Sequence, residues 1–480
     1  MSTKPNIIFI LIDDYGWKDT GCYGSSFYDT PNLDDLAANG MRFTDAYATC
    51  PVCSPTRASV MTGKYPANHK ITNWINWGDG HPNKGRLIDV PYVDHISDDN
   101  VTVADALKEG GYQTWHVGKW HLGREGNYPS DHGFDVNIAG FEWGSPKNGY
   151  FSPWDLKNLE NGPDGEYLTD RLGDEAVTLI NSRDKDSAFF MNLWFYTVHT
   201  PIQAKEDDIR YYQRKASDMS LNQIDPFVEG DFFPVEHKKE ERIRRRIIQS
   251  DPVYAAMIKC MDDNIGKLVQ SLKDEGILED TLIVFTSDNG GLATAEGSPT
   301  CNAPLSEGKG WMYEGGTREP LIVHWPGHVR AGSVSSEVVT STDYYPTFLE
   351  AAGLPLKPEQ HIDGESILPL LKETGKLERE AIFWHYPHYG NQGGTPGCSI
   401  RKGDFKLIEF FEGNVLELYN LREDISETNN LAETMPDKRD ELHADLVAWR
   451  KSVEAQIPQE NPDFMPWQDI DLNDPSSPFI

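Results

Sequence analysis

Short apolar runs break off abruptly into polar residues at five places along this chain. Asn6–Ile12 stops at Asp13-Asp14, Gln113–Val117 at Gly118-Lys119-Trp120-His121, and Ala188–Val198 at His199. Thr281–Phe285 stops at Thr286-Ser287-Asp288-Asn289-Gly290, and Leu321–Trp325 at Pro326-Gly327. The runs are rich in β-formers and do not alternate strictly, which suits strands buried on both faces of a largely parallel sheet. Helical stretches lie between them. Thr30-Pro31 opens one that closes at Gly40, with proline inside the start and glycine past the end. Thr102 caps a second that ends at Gly110-Gly111. A third, Asp251–Glu275, carries Met257, Met261, Ile265, Leu268 and Leu272 at helical spacing, and Asp343–Ala352 makes a fourth. The alternation predicts an α/β class, a sheet flanked by helices. In such sheets ligands bind beyond the carboxyl ends of the strands, so the polar residues found there should gather along one edge.

The pattern changes at Leu377. Ala381–Tyr386, Cys398–Ile400, Phe405–Phe411 and Glu417–Tyr419 read as short strands with turns between, and Pro436–Ala455 as a helix. The expected division is an α/β domain over 1–376 and a small α+β domain over 377–480. Lys205–Ser250 reads as a charged insertion. Its Lys238–Arg246 run is expected to form a solvated helix face, with a polyanion-binding ridge as the alternative.

Composition narrows the classes. The 480 residues are 38% hydrophobic and 11% aromatic, too much for a disordered acidic chain. No apolar run reaches the ~20 residues that span a bilayer. With 44 Lys+Arg against 76 Asp+Glu, the net charge of −32 repels phosphate backbones, so no nucleic-acid partner is expected. Met1–Pro5 leads straight into a strand-like run without a leader. A cytoplasmic protein, or a periplasmic or secreted one whose leader has been removed, is the expectation. Six cysteines do not make a disulfide framework.

Asp13, Asp14, Asp288 and Asn289 put hard oxygen ligands at two strand ends. Crowded carboxylates repel one another unless a cation lies between them, and oxygen donors favour Ca²⁺ or Mg²⁺ over zinc. Singly, each pair is also what strand-to-helix loops use as caps. If the strand continues past Gly118, Lys119 and His121 point the same way. With His199 and Lys309, which sits between two glycines, they make an anion cradle. Pro55 suits the first turn of a helix, which would place Cys53 at its N-terminus, where backbone N–H groups favour anions, with Arg57 on the same face. Cys50-Pro51-Val52-Cys53 also reads as a redox or half-zinc motif, but a zinc site needs a second cysteine pair.

Cys53-Ser54-Pro55-Thr56-Arg57 resembles the signature of type I sulfatases, in which the cysteine is converted to formylglycine. Asp13-Asp14, Gly118-Lys119-Trp120-His121-Leu122-Gly123, Val198-His199-Thr200-Pro201, Ser287-Asp288-Asn289-Gly290 and Lys309 match the family's remaining positions in the family's order. The resemblance implies an alkaline-phosphatase-like fold with a small C-terminal antiparallel sheet. It implies Ca²⁺ on Asp13, Asp14, Asp288, Asn289 and the converted residue 53. It implies a formylglycine-generating enzyme or anaerobic maturase as a partner. The implied reaction is attack on sulfur by the hydrated aldehyde, helped by Arg57. His199 serves as general acid, Lys119 and Lys309 neutralise the sulfuryl oxygens, and His121 takes the second hydroxyl proton.

The substrate implied is a sulfated oligosaccharide, from an algal polysaccharide or a glycosaminoglycan. Trp74 and His385 are the residues expected to touch the sugar, with Trp77, His81, Trp143, Trp311, Tyr313, His388 and Asn391 as further candidates. A phosphatase or phosphonate-ester hydrolase of the same superfamily is the alternative enzyme. A binding protein with unconverted Cys53 is the alternative outside catalysis.

Overall fold

Strand Asn6–Ile12 is buried along its whole length because every one of its residues meets apolar side chains from one face or the other. It lies near the middle of a nine-stranded sheet in the computed structural model, which describes residues 4–75, 85–235 and 238–464. Trp77 and His81 lie outside the described residues. Asn6–Ile12 runs parallel to Phe189–Trp194 on one side and to Thr281–Ser287 on the other. Gln113–Gly118 continues the parallel order beyond Phe189–Trp194. Arg318–His324 pairs antiparallel with Thr281–Ser287 and with Met41–Tyr47. The sheet is therefore mixed and largely parallel, with helices on both faces. The helices stand where the pattern puts them: Pro31–Ala38, Val103–Glu109, Pro252–Asp274 and Tyr344–Ala351.

Local chemistry fixes these elements. Asp251 caps the long helix by accepting from the N–H groups of Val253 and Tyr254. Asp262, on the same helix, accepts from the N–H groups of Asn32 and Leu33 at 3.0 and 2.8 Å and so caps the neighbouring helix from outside. The second sheet is antiparallel, Ala381–Tyr386, Gly397–Lys402, Phe405–Phe410 and Val415–Asn420, with helix Pro436–Ser452 packed on it through Leu442 and Leu446.

Three expectations need correction. Lys238–Arg246 is not helical: Arg242–Arg246 is a strand paired antiparallel with Phe227–Phe232. Its period is two. Ile243 faces the interior beside Trp311, while Arg242, Arg244 and Arg246 lie over the rings of Phe232 and Phe227. Strand Phe189–Trp194 stops four residues before Val198, because Thr197 and Val198 bond the backbone of Asp13 instead. Strand Gln113–Gly118 does not continue through His121. Gly118 takes φ +107° and His121 φ +59°, so the chain turns over the strand end.

A buried ion cluster joins the two sheets. Lys406 Nζ, from the antiparallel sheet, lies 2.9 Å from Glu314 and 3.0 Å from Glu427, and all three side chains are fully buried. Burial opposes charge on Glu314, but Lys406, Arg318 and Arg401 outweigh it and hold its carboxyl down at about 2. Removing the one cation shared by two buried carboxylates is costly. Lys406→Met should lower stability by about 3–5 kcal/mol, seen as a fall in the urea midpoint at unchanged slope.

Candidate active site

Helix Cys53–Thr62 is buried at every position and begins at Cys53. Val52 offers no side-chain cap, so the first N–H groups of the helix are left for what lies in front of them. One turn on, Arg57 packs its guanidinium 5.2 Å from the Trp194 ring. Its Nε and a terminal nitrogen hold one oxygen of Asp288 at 2.8 and 2.7 Å.

Four parallel strand ends deliver most of the remaining groups, and a loop brings Lys309. Asp13 and Asp14 follow Ile12, Lys119 follows Gly118, His199 follows the loop after Trp194, and Asp288 and Asn289 follow Ser287. Backbone bonds lace these ends together: Asp13 N–H to Thr197, Val198 N–H to Asp13 and Asp288 N–H to Ile12. Lys119 Nζ donates to Asp13 Oδ2 at 2.6 Å, and Lys309 Nζ to Asp14 Oδ2 at 2.7 Å. Asn289 Nδ2 donates to Asp14 Oδ1 at 2.8 Å. Burial opposes charge on Asp14, yet Lys309, His199 and Lys119 outweigh it and hold its carboxyl well below the usual range. Asp13 goes the other way: burial, with Asp288 and Asp14 nearby, pushes it up despite Lys119.

The donor set fits a hard cation. Asp13 Oδ1 and Asn289 Oδ1 are buried oxygens without a hydrogen-bond partner. One ligand atom from each of Asp13, Cys53 and Asp288 falls within 4.8 Å of the others. Oxygen donors of this kind suit Ca²⁺ or Mg²⁺.

Hydrogen bonds fix both histidine tautomers. His121 Nε2 lies 2.8 Å from the Ile75 carbonyl, so it carries the proton, and Nδ1 is left as an acceptor 3.4 Å from Cys53 Sγ. His199 Nδ1 donates to the Thr200 carbonyl at 2.9 Å, and its Nε2 stands 3.7 Å from Asp14 Oδ2. Burial, then Lys309, lowers His199 to about 4. Burial, then Lys119, depresses His121 strongly. Burial raises the Cys53 thiol against the pull of Lys119 and Lys309.

These groups floor a cavity of about 290 Å³ lined by Cys53, His121, His199 and Lys309, and by Trp74, Ile75, Trp143, Lys147, Glu296, Asn391 and Gln392. The structure thus brings together Cys53, Arg57, Lys119, His121, His199, Lys309, Asp13, Asp14, Asp288 and Asn289. Trp74 is on the wall, but His385 is not. It sits inside the antiparallel sheet, 1% exposed, with Nε2 on the Gln456 carbonyl at 2.8 Å. His388 is likewise buried, between Thr72 and Asp89. Glu296, Gln392 and Lys147 carry no motif, and only their loops' nearness in space marks them. No disulfide forms; Cys50, behind Cys53, is free like the other cysteines.

An acidic centre, a cationic cradle and a helix N-terminus at one sheet edge define a hydrolase of anionic esters. The chain belongs to the sulfatase family: the Sulfatase family model matches residues 5–354, and the model N-sulphoglucosamine sulphohydrolase, C-terminal, matches residues 307–452. A protein named Sulfatase from Formosa agariphila is 32% identical, over 91% of this chain and 86% of its own length. N-acetylgalactosamine-6-sulfatase of Homo sapiens is 32% identical, over 79% of this chain and 68% of its own. The crystal structure of Ps i-CgsB in complex with k-i-k-neocarrahexaose superposes with a TM-score of 0.73 at 30% identity, covering 93% of each chain. The protein is a sulfuric ester hydrolase. No helix among the described residues is long and apolar enough to cross a membrane.

Gly144 tests how tightly the site is built. A Cβ there would meet His121 Cε1 at 2.6 Å and Nδ1 at 2.8 Å, and the ring is tethered at both nitrogens. Gly144→Ala should tilt His121 and lower kcat by about tenfold to hundredfold, with little change in melting temperature.

Proposed function

We propose that the protein removes sulfate from a sulfated carbohydrate, with residue 53 converted from cysteine to formylglycine by a maturing enzyme. Asp13, Asp14, Asp288, Asn289 and residue 53 hold Ca²⁺ in this reading. The observation that carries it is the position of the Cys53 side chain, at a helix N-terminus, within 3.4 Å of an acceptor nitrogen on His121 and beside buried oxygens that lack partners. The converted side chain supplies a hydrated aldehyde, whose oxygen attacks sulfur and whose second hydroxyl lets sulfate leave as the aldehyde re-forms. The bound cation supplies positive charge that acidifies a hydroxyl and neutralises sulfuryl oxygens.

The protein's own residues do the rest. Lys119 and Lys309, bonded to Asp13 and Asp14, would neutralise charge on the sulfuryl oxygens. Arg57 holds Asp288 and orients it. His121, with Nε2 tied to Ile75, keeps Nδ1 free to take a proton from residue 53. His199 protonates the leaving alkoxide. An anionic ester beside its ring opposes the depression that burial and Lys309 impose, so substrate arrival favours the charged acid.

Trp74 and Trp143 line the cavity, and aromatic side chains there suit contact with a sugar. The relatives' names, an N-acetylgalactosamine-6-sulfatase and a protein in complex with k-i-k-neocarrahexaose, support an algal polysaccharide or glycosaminoglycan oligosaccharide as substrate. Sulfate release from a panel of such oligosaccharides tests this, set against matched phosphate and phosphonate esters. Faster cleavage of the phosphorus esters would overturn it. His199→Gln should cut kcat on sugar sulfates by about 10²–10⁴ and on 4-nitrophenyl sulfate, with its good leaving group, by far less. Equal losses on both would remove His199 as the acid.

A further inference from the structure

The two flanks of the cavity differ in charge. Trp143 and Lys147 line it beside His121, where Gly144 touches the imidazole ring. Beside His199 and Lys309 stands Glu296, the one carboxylate among the described residues that line the cavity. Glu296 is exposed, yet its carboxylate is held in place. Oε1 accepts from Gln392 Nε2 at 3.1 Å and from Asn391 Nδ2 at 3.3 Å, and Oε2 from Thr200 Oγ1 at 3.4 Å. Thr200 follows His199 directly, so the carboxylate is tied to the segment that carries the acid.

Gln392 extends this wall. Its side chain is 4% exposed, and Oε1 has no hydrogen-bond partner. The amide cannot be turned over, because its oxygen would then face the Glu296 carboxylate. That oxygen is shut away from the cavity, so the acceptor this flank offers a ligand is the Glu296 carboxylate, held by the Gln392 amide. A ligand held with its sulfate among Lys119, Lys309 and residue 53 presents a neighbouring ring position to it. A hydroxyl or ammonium there gains a charge-assisted bond, whereas a second sulfate or a carboxylate meets like charge.

We infer that Glu296, positioned by Gln392, sets specificity: it accepts a hydrogen-bond donor on the sulfated ring and rejects a second anionic group at that position. The inference rests on the sulfate-ester reading above. The substrate class it selects carries one sulfate, with free hydroxyls or an unsubstituted amine beside it, on the flank nearest His199.

Aryl sulfates test this without knowledge of the sugar. The probes are 4-nitrophenyl sulfates bearing either an aminomethyl or a carboxylate group, placed ortho or meta to the ester. The matured wild-type protein should favour the ammonium compound in kcat/KM in at least one pair. Glu296→Gln should lower that ammonium-to-carboxylate ratio by about tenfold, mainly through KM, and Glu296→Lys should invert it. A merely structural role would lower both compounds together and leave the ratio alone. A wild-type ratio at or below one in both pairs overturns the inference even if the variants do not fold, and so does a ratio unchanged in Glu296→Gln. If the wild-type protein releases no sulfate from unsubstituted 4-nitrophenyl sulfate, the sulfate-ester reading itself fails; with that turnover present, a failed ratio counts against Glu296 alone.

Discussion

Asp13, Asp14 and Asp288 sit fully buried against Arg57, Lys119 and Lys309, and this balance is the constraint to which the rest of the fold answers. A charge taken out of water costs several kcal/mol unless a partner meets it at close range. The six charges come from five elements: three strand ends, one of which supplies both Asp13 and Asp14, one helix and one loop. None can shift without stranding its partner. The register of the central strands and the seating of helix Cys53–Thr62 are therefore tied to one another through the site, and the sheet edge is rigid where chemistry needs it.

The Lys309 loop shows how the constraint spreads. Lys309 N–H bonds Gly291, and Gly310 N–H bonds Pro51, just before Cys53. A Cβ at Gly308 would meet the Gly291 carbonyl at 2.3 Å, so the loop lies against the Asp288–Gly291 turn with no space to spare. A few residues later Glu314 joins Lys406 and Glu427 in the cluster that bolts on the antiparallel sheet. That sheet in turn carries Asn391 and Gln392 between its first two strands, on the wall of the cavity. In the proposed reading the sulfate side is built by the large sheet and its loops, the sugar side in part by the small one.

This division explains what was legible in the sequence. Several residues of the sulfate side stand at the ends of buried parallel strands, where an apolar run that stops at charged or polar residues marks them directly. Asp13, Lys119 and Asp288 are of this kind. Strand Met41–Tyr47 is not legible, because Arg42, Thr44 and Asp45 stand half-buried among its apolar residues and break up the run. Helices Leu168–Ser182 and Glu206–Asp218 lie in stretches whose polar faces hide the pattern. Arg242–Arg246 was read as a helix face because charge masked a period of two. His385 resembles Trp74 as a candidate in sequence, yet strand alternation turns it inward to Gln456. Glu296 and Gln392 meet only through loops about a hundred residues apart, a pairing that no local pattern encodes.

The account stands or falls on the chemical state of residue 53. Mass spectrometry of the peptide spanning it, from protein made by its natural host and shown to release sulfate, addresses that state directly. The account predicts an aldehyde or its hydrate in place of the thiol. An unmodified cysteine in every copy of a protein that still hydrolyses sulfate esters would contradict it.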